Sequence, residues 1–279
     1  MIVPTRSVAT SDVADHYDEL DVFYREVWGE HVHHGLWRTG REPSALAAEQ
    51  LVEHVAAALG VQRGDRIVDI GAGYGATARL LAERFGADVT ALTVSRAQFD
   101  FASHRPAAGV RYLLRDWLHN GLPDACADAA LAIESTEHMD DKAGVFREAR
   151  RVVRPDGRLA VCAWIARDGP RDWEVRHLLE PICREGRLTG MGTELEYRSL
   201  LEHAGFDVER VEELSHAVKA TWPRCARGVA VRLLRDARYR RFLFSRASRN
   251  RVFVLTLLRI WAAYETGALR YLLFVARAR

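Results

Sequence analysis

RIVDIGAGYGATARLLAERFG, residues 66–86, has the pattern of a buried strand, a glycine-rich turn and a helix. Its apolar start is typical of a short parallel strand that is covered on both faces. Gly86 stands where the helix would end. Three glycines lie between strand and helix, where the absence of a Cβ lets the backbone turn sharply and approach a ligand closely: Gly71, Gly73 and Gly75. The stretch therefore predicts a nucleotide-type site at the end of a first strand.

The glycines do not identify the ligand, because the same string fits a dinucleotide fingerprint that ends in Ala76. Two features argue against nicotinamide or flavin. Asp69 stands before the first glycine, where its carboxylate would face an ammonium or a sulfonium better than a pyrophosphate. The next predicted strand, 88–94, has no acidic residue at its end to hold a ribose. A tight turn without a ligand is the remaining alternative.

Composition argues against several classes of protein. Forty basic and 38 acidic residues leave a formal charge of +2, which gives no general attraction to nucleic acid. The four cysteines form no CxxC pair, so we expect no metal cluster or disulfide framework, and a reducing cytoplasm is the default. The N-terminus lacks the apolar core of a signal peptide. The most apolar stretch, 252–264, is too short and too interrupted to span a bilayer.

Strand and helix patterns alternate from residue 43 to residue 165, which predicts a mostly parallel sheet with helices on both faces. Later patterns are a sixth strand, a mostly helical stretch and a last strand. We therefore expect a doubly wound α/β fold. Its expected segments are an N-terminal lid at 1–42, a core at 43–215, a helical cap insertion at 216–269 and a last core strand at 270–279.

Polar side chains and a glycine stand where the predicted strands end. Ligands of such sheets bind beyond the carboxyl ends of the strands. Six residues fall there and predict one site at that edge: Asp69, Gly71, Thr93, Asp116, Glu134 and His138. Ser95 and Gln98 have the spacing of a helix capping box, which would explain both without a ligand.

The lid is dense in aromatic residues and histidines. Four aromatic residues could pack within a lid helix, line a pocket or do both: Tyr17, Tyr24, Trp28 and Trp37. Metal binding by three histidines is disfavoured, because no fourth ligand of suitable spacing follows: His31, His33 and His34. Packing or hydrogen bonding within the lid is the favoured explanation of these histidines.

The insertion is rich in arginine: Arg224, Arg227, Arg232, Arg235, Arg238, Arg240, Arg241, Arg246, Arg249 and Arg251. A site for an anionic substrate and a nucleic-acid face are the two functional interpretations. A solvated helix face is favoured over both, because the whole sequence prefers arginine and has only two lysines, Lys142 and Lys219.

DIGAGYG, with its flanking strand and helix, resembles motif I of the class I S-adenosylmethionine-dependent methyltransferases. The stretches DVTALTVSRAQ, RDWLHNGLP and ALAIESTEHMDDKAGVFREARRVVRPDGRLAV resemble later motifs of the branch that contains cyclopropane synthases and tocopherol methyltransferases. The lid stretch YDELDVFYREVWGEHVHHGLW and the tail AYETGALRYLLFVARA are similar to the same branch. The resemblance implies a Rossmann-like fold with a seven-stranded sheet, and S-adenosylmethionine as the cofactor.

The resemblance also implies which residues hold the donor. They are Asp69, Gly71 and Gly73 at its methionine, Thr93 and Gln98 at the ribose, Asp116 and the Trp117 backbone at the adenine, and Glu134 and Ser135 beside the methionine and the transferring methyl. Thr93 and Gln98 stand where the commoner class I pattern has an acidic residue. Related enzymes pair a tyrosine of the lid helix with a histidine after the fourth strand, and Tyr17 and His138 occupy comparable positions.

The leading interpretation is methyl transfer to O, N or C of a small aromatic or heteroaromatic metabolite, in natural-product biosynthesis. His138 would be the general base, because imidazole titrates near neutral pH, and the acceptor would contact Tyr24, Trp28 and His33. We expect a cytoplasmic monomer or homodimer. The alternatives are C-methylation of a prenyl diphosphate and a donor-binding cyclase or partner subunit. Nucleic-acid modification is disfavoured, because an NPPY-type tetrapeptide is missing after the fourth strand.

Overall fold

The computed structural model describes residues 1–5, 8–244 and 253–279. Its centre is a seven-stranded sheet in the order β3-β2-β1-β4-β5-β7-β6. Strand β7 runs antiparallel to both of its neighbours, and the other pairs are parallel. The strands are β1 (Arg66–Ile70), β2 (Asp88–Thr93), β3 (Val110–Leu114), β4 (Ala127–Ile133), β5 (Val153–Ala166), β6 (Phe206–Glu213) and β7 (Leu269–Ala278). The predicted doubly wound, mostly parallel sheet is confirmed.

Helices cover both faces of the sheet. They are α1 (Thr10–Val27), α2 (Ser44–Leu59), α3 (Ala76–Leu80, continued by a π-helical turn at Leu81–Phe85), α4 (Arg96–Ser103), α5 (Lys142–Val152), α6 (Asp172–Glu174, with a π-helical turn at Val175–Leu179), α7 (Glu180–Glu185), α8 (Glu194–His203), α9 (Ser215–Val218), α10 (Thr221–Arg235), α11 (Ala237–Phe244) and α12 (Phe253–Glu265). Gly60 and Gly86 end α2 and the α3 segment in the left-handed conformation, and for Gly86 this is the predicted helix end.

Two apolar cores flank the sheet, because successive side chains of a strand point to opposite faces. Ile67 of β1 packs into the core beneath α2, α7 and α12. Val68 and Ile70 pack into the core beneath α5 and α8. Burial on both faces explains why β1 is a continuous apolar run rather than an alternating one, and it leaves the strand ends as the place where polar groups can gather.

The sequence Pro155-Asp156-Gly157 is a turn signal that predicts a fifth strand only from residue 159, and the start of β5 differs from this prediction. The strand begins at Val153, directly after α5, and its register against β4 shifts between the pairs Val153–Ala127 and Arg158–Ala129. Asp156 has a positive φ of 61°. Pro155 has no N–H to give to the ladder, so the predicted turn residues form a bulge inside a longer strand.

Helices α9 to α12 lie between β6 and β7, where the helical insertion was predicted. Three of its arginines, Arg246, Arg249 and Arg251, lie outside the described residues. Arg224 stacks on the Trp37 ring at 3.8 Å and donates to a lid carbonyl. Arg232 and Arg238 bind groups of Glu26 in α1, and Arg259 pairs with Glu185 of α7. These contacts join the insertion to the lid and to the core.

In the described part of the chain, no helix is both long enough and apolar enough to cross a membrane.

Candidate active site

Two clefts meet at the carboxyl ends of β1, β2 and β4. The first cleft has a volume of about 770 Å³, part of it open to solvent, and runs from Gly71 past Thr93 to Asp116. The second cleft encloses about 680 Å³ between α1, the loop after it, the segment 186–188 and α10 and α12 of the insertion. Four residues line both clefts: Tyr17, Val32, Glu134 and His138. The shape is that of a site for two ligands that touch at one point.

The glycine turn forms one wall of the first cleft. Gly71 has a positive φ of 79°, and a Cβ built on it would lie 2.4 Å from Cβ of Ser135. Ser135 in turn donates from Oγ to the carbonyl of Ile70 at 2.5 Å. Only a glycine lets the first turn and the turn after β4 approach this closely, so the sequence-based explanation of the motif holds at Gly71.

Asp69 lies beneath the glycine turn and is 2% exposed. Its Oδ2 has no hydrogen-bond partner among the residues that the structure describes. Burial raises the pKa of Asp69 to about 7. A small recess beside it is lined by Gly71, His31 and His33. A buried carboxylate oxygen without a donor fits a ligand that brings its own cationic donor, such as an ammonium group.

The far end of the first cleft has two groups of polar residues, one around Gln98 and one at Asp116. Thr93 donates from Oγ1 to Oε1 of Gln98 at 2.7 Å, and both side chains line the cleft. Ser95 accepts from the Gln98 backbone at 3.2 Å, as predicted, but the Gln98 side chain reaches Thr93 instead of Ser95. The predicted capping box is therefore only half formed, and the Gln98 amide is left facing the cleft. Asp116 accepts from the Leu118 backbone at 3.0 Å.

The Trp117 side chain is buried next to Asp116 in the sequence. It is 2% exposed, and its Nε1 donates to the carbonyl of Val145 at 3.1 Å. This anchor fixes the backbone of residues 116–118 as one side of the cleft. The structure thus brings all nine predicted donor-site residues to the wall of this cleft or the recess beside it: Asp69, Gly71, Gly73, Thr93, Gln98, Asp116, Trp117, Glu134 and Ser135.

Glu134 lies between the two clefts, with a positive φ of 54° that is uncommon for a residue with a side chain. Its Oε1 accepts from the His34 backbone at 2.7 Å and from the Tyr271 hydroxyl at 2.8 Å. Its Oε2 accepts from Nε1 of Trp164 at 2.9 Å. Burial acts to raise the pKa of Glu134, but His34 and the other donors outweigh burial and lower the pKa to about 2. Glu134 is therefore a buried, ionised carboxylate that the protein itself surrounds with donors.

The His34 ring extends this network toward the insertion. Its Nε2 accepts from Nε1 of Trp222 at 2.7 Å and from the Tyr264 hydroxyl at 3.1 Å. An indole N–H can only donate, so the ring proton of His34 is on Nδ1, which lies 2.9 Å from Oε1 of Glu134. Sequence reasoning missed this network, because the partners of His34 are 100 residues or more away from it and no local pattern connects them.

His138 and Tyr17 meet where the clefts join. The Tyr17 hydroxyl lies 3.1 Å from Nε2 of His138, and Nδ1 of His138 lies 3.0 Å from the carbonyl of Arg187. A carbonyl can only accept, so Nδ1 carries the proton, and the lone pair of Nε2 accepts from the Tyr17 hydroxyl. Burial, more than any other influence, lowers the pKa of His138 to about 4. The ring is therefore neutral at physiological pH and offers a base to the second cleft.

The residues predicted to touch an acceptor line the second cleft: Tyr24, Trp28 and His33. Nδ1 of His33 donates to the carbonyl of His34 at 2.8 Å, and Nε2 of His33 faces Nδ1 of His31 at 3.1 Å. These bonds agree with hydrogen bonding within the lid. The sequence missed further apolar walls that come from distant elements: Trp164, Ile182, Leu188, Trp222 and Ile260.

Comparison with known proteins agrees with the geometry. The family model described as a methyltransferase domain matches residues 68–161. Methyltransferase GfsG of Streptomyces halstedii is 32% identical over 76% of this chain and 78% of that protein. The 27-O-demethylrifamycin SV methyltransferase of Amycolatopsis mediterranei is 30% identical over 77% and 81%.

A solved structure gives the same fold. A putative sarcosine dimethylglycine methyltransferase from Galdieria sulphuraria superposes with a TM-score of 0.80, at 24% identity, over 93% of this chain and 98% of that one. The first cleft, with its glycine turn and its buried carboxylate, fits the methyl donor S-adenosylmethionine that the motifs implied. The chain therefore belongs to the class I S-adenosylmethionine-dependent methyltransferases that act on small molecules.

Proposed function

We propose that the protein methylates a neutral, largely apolar aromatic or heteroaromatic metabolite, at a hydroxyl or another nucleophilic atom that lies against His138. The observation that carries the proposal is the neutral His138 ring, whose unprotonated Nε2 lies at the junction of the two clefts and accepts from the Tyr17 hydroxyl. The name of one relative, 27-O-demethylrifamycin SV methyltransferase, denotes methylation of a demethylated natural product, which supports an oxygen acceptor.

We further propose that the donor occupies the first cleft in one orientation. Its methionine ammonium would face Asp69, its ribose hydroxyls would face Thr93 and Gln98, and its adenine would lie against Asp116 and the Trp117 backbone. This orientation brings the sulfonium end to the junction of the two clefts. The ionised Glu134 would offset part of the positive charge there, although its oxygens already accept from protein donors.

The second cleft supports a neutral acceptor. Aromatic rings of Tyr24, Trp28, Trp164 and Trp222 form much of its wall, and no lysine or arginine is among the described residues that line it. The ionised Glu134 also lies at its border. Burying a diphosphate there would cost several kcal/mol per uncompensated charge, which disfavours the prenyl diphosphate alternative.

The proposed chemistry depends on placement and on one proton transfer. When bound, the donor supplies an activated methyl group on its sulfonium. The acceptor oxygen would form the bond to the methyl carbon as the carbon–sulfur bond breaks with its electron pair remaining on sulfur. Nε2 of His138 would take the acceptor proton after the acceptor hydroxyl has replaced the Tyr17 hydroxyl as its hydrogen-bond donor. The lid closes the site to water, and Glu134 stabilises the imidazolium that forms. Tyr17 holds the His138 ring in the orientation for this transfer.

Incubating the protein with S-adenosylmethionine labelled in the methyl group and a panel of acceptors tests this proposal. Labelled product should form with neutral, hydroxylated aromatic compounds and not with a prenyl diphosphate. Trp28→Ala should raise the acceptor KM about tenfold, because it removes one apolar wall of the cleft. Trp173→Ala, which changes a tryptophan that is 43% exposed, should leave KM unchanged. Preferential labelling of the diphosphate would contradict the proposal.

Replacing Gly71 with alanine should abolish donor binding, because the new Cβ would push the glycine turn away from Ser135. Gly64→Ala is the matched control, since Gly64 also has a positive φ, 84°, but its added Cβ would meet nothing within 4 Å. Both variants should lose about 1 kcal/mol of stability from backbone strain, and Gly71→Ala should lose more because of its contact with Ser135. Titration calorimetry with S-adenosylmethionine distinguishes them, and equal affinities would show that the turn does not form the donor site.

The cellular setting is also a proposal. All four cysteines are free thiols, and three of them are buried. Free thiols are the usual state of cysteine in a reducing compartment, which supports a cytoplasmic enzyme. We propose that it acts there as a monomer or a homodimer.

A further inference from the structure

Lys142 is a buried ammonium next to the turn that carries His138. The residue begins α5 and is 4% exposed. Its Nζ lies 2.5 Å from the carbonyl of Met139, 3.3 Å from the carbonyl of Glu137 and 2.8 Å from Oγ1 of Thr189. An ammonium has three N–H donors, and here three acceptors surround it. Two of those acceptors belong to the residues on either side of His138.

The presence of a lysine at this position is informative. The sequence uses arginine at all but two of its 40 lysine and arginine positions. A guanidinium is a planar fork, whereas an ammonium is a compact group with three donors that point in different directions. Three acceptors around one buried atom require the second geometry. The rarity of lysine in the chain and the contacts of Lys142 therefore both indicate that this position requires an ammonium group.

The same ammonium joins a second segment to the turn. Thr189 donates from its backbone to the carbonyl of Glu137 at 2.8 Å and from its hydroxyl to the carbonyl of Met139 at 2.7 Å. Two residues earlier, Arg187 has a positive φ of 57°, and its carbonyl faces Nδ1 of His138. Lys142 thus fastens together the turn that presents the His138 ring and the segment that fixes which ring nitrogen carries the proton.

The charge of Lys142 also favours the neutral form of His138. Burial lowers the pKa of Lys142 to about 8, and the nearby Glu137 acts to raise it. At neutral pH the side chain is therefore mostly charged. A positive charge beside His138 disfavours the imidazolium and keeps Nε2 unprotonated before the acceptor arrives.

We propose that Lys142 is a positioning residue for His138: it holds the backbone on both sides of the histidine and the 186–189 segment, so that Nδ1–H points to Arg187 and Nε2 points to the acceptor. The inference rests on the proposed role of His138 as the base. It assigns no contact between Lys142 and either ligand, since Lys142 lines neither cleft.

Lys142→Met tests the proposal against Lys219→Met, which removes the other lysine, at an exposed ion pair with Glu265. Ring-nitrogen NMR of the donor-free protein reports the His138 tautomer directly, with His138→Gln as the assignment control. We expect a single Nδ1–H tautomer in the wild type and in Lys219→Met, and a mixture of tautomers in Lys142→Met. The kcat should fall about 100-fold in Lys142→Met only, while donor affinity stays unchanged.

The pH profile separates positioning from a general loss of structure. The charged or titratable groups around His138 are Tyr17 from α1, Glu134 from the turn after β4 and Lys142 from α5. Those around Lys142 are Glu137, Asp140 and Cys183. Removing only the ammonium should move the acidic limb of kcat/KM to higher pH, because His138 then protonates more easily. A simple loss of folded protein would lower the profile without moving it.

Two further variants keep the test decisive. Lys142→Arg should fail to restore kcat, because the planar fork does not match the three acceptors. Thr189→Val removes one acceptor without the charge change and should give a smaller shift in the tautomer, even if Lys142→Met does not fold. An unchanged tautomer and acidic limb in a folded Lys142→Met protein would overturn the inference. Full activity of His138→Ala would instead overturn the proposed function, while the donor-free spectra would still report on Lys142.

Discussion

Replacing His138 with alanine should lower kcat about a thousandfold, within the usual range for the loss of a general base. The imidazole is the one neutral base at the junction of the clefts among the residues that the structure describes, because Glu134 is already surrounded by donors. Donor affinity should persist, since His138 is not among the residues proposed to hold the methionine, the ribose or the adenine of the donor. Steady-state kinetics with the best acceptor of the panel, together with calorimetry for S-adenosylmethionine, measures both quantities.

Two further variants belong to that experiment: Tyr17→Phe tests the partner of His138, and His203→Ala is the control. Tyr17→Phe removes only the hydroxyl that lies 3.1 Å from Nε2, so kcat should fall by a smaller factor than in His138→Ala. His203 is an exposed histidine of α8 whose ring, among the residues that the structure describes, bonds to groups of Ser199, so its replacement should change nothing. Undiminished turnover in His138→Ala would remove this residue from the chemistry and leave placement alone as the source of rate.

Local patterns predicted most of the fold and one half of the site. Strands with both faces buried read as apolar runs, and the glycines of β1–α3 identify a close approach of backbone to ligand, so both are visible in a short window of sequence. Parallel strands also end at one edge of the sheet, which is why five of the six residues expected there line the first cleft and Asp69 lines the recess beside it. Where local chemistry allowed two outcomes, as at residues 153–158, the boundary prediction was wrong.

The other half of the site depends on contacts that no short window contains. The tautomer of His34 is fixed by Trp222, which is 188 residues away, and that of His138 by a carbonyl 49 residues away. Glu134 is held with a positive φ by donors from three separate elements, so its backbone conformation follows from tertiary structure and not from propensity. Lys142 was visible only as a rare residue type, and its role became apparent from its acceptors.

Asp69→Asn should make the donor-free protein more stable and the donor bind far more weakly. Burial raises the pKa of Asp69 from 3.8 to about 7, so folding takes up a proton between those two values. The stability of the donor-free wild type should therefore fall as the pH rises from 4 to 7 and stay low above it, by an amount of up to about 4 kcal/mol. An asparagine carries no charge to bury, but its amide also needs partners, so we expect a net gain of roughly 2 kcal/mol at pH 8. Urea unfolding at pH 5 and pH 8 measures the difference.

Donor binding favours the wild type over Asp69→Asn, because the donor ammonium supplies the partner that Oδ2 of Asp69 lacks. Leaving that ammonium unpaired costs about 3 kcal/mol or more, so the Kd of Asp69→Asn should rise at least about 100-fold. Wild-type affinity should increase as the pH rises toward 7, since the donor binds the ionised carboxylate. Asp207→Asn, at an exposed aspartate of β6, should change neither stability nor affinity. If Asp69→Asn bound the donor normally, the ammonium would have to lie elsewhere, and the buried carboxylate would need another partner to justify its cost to the fold.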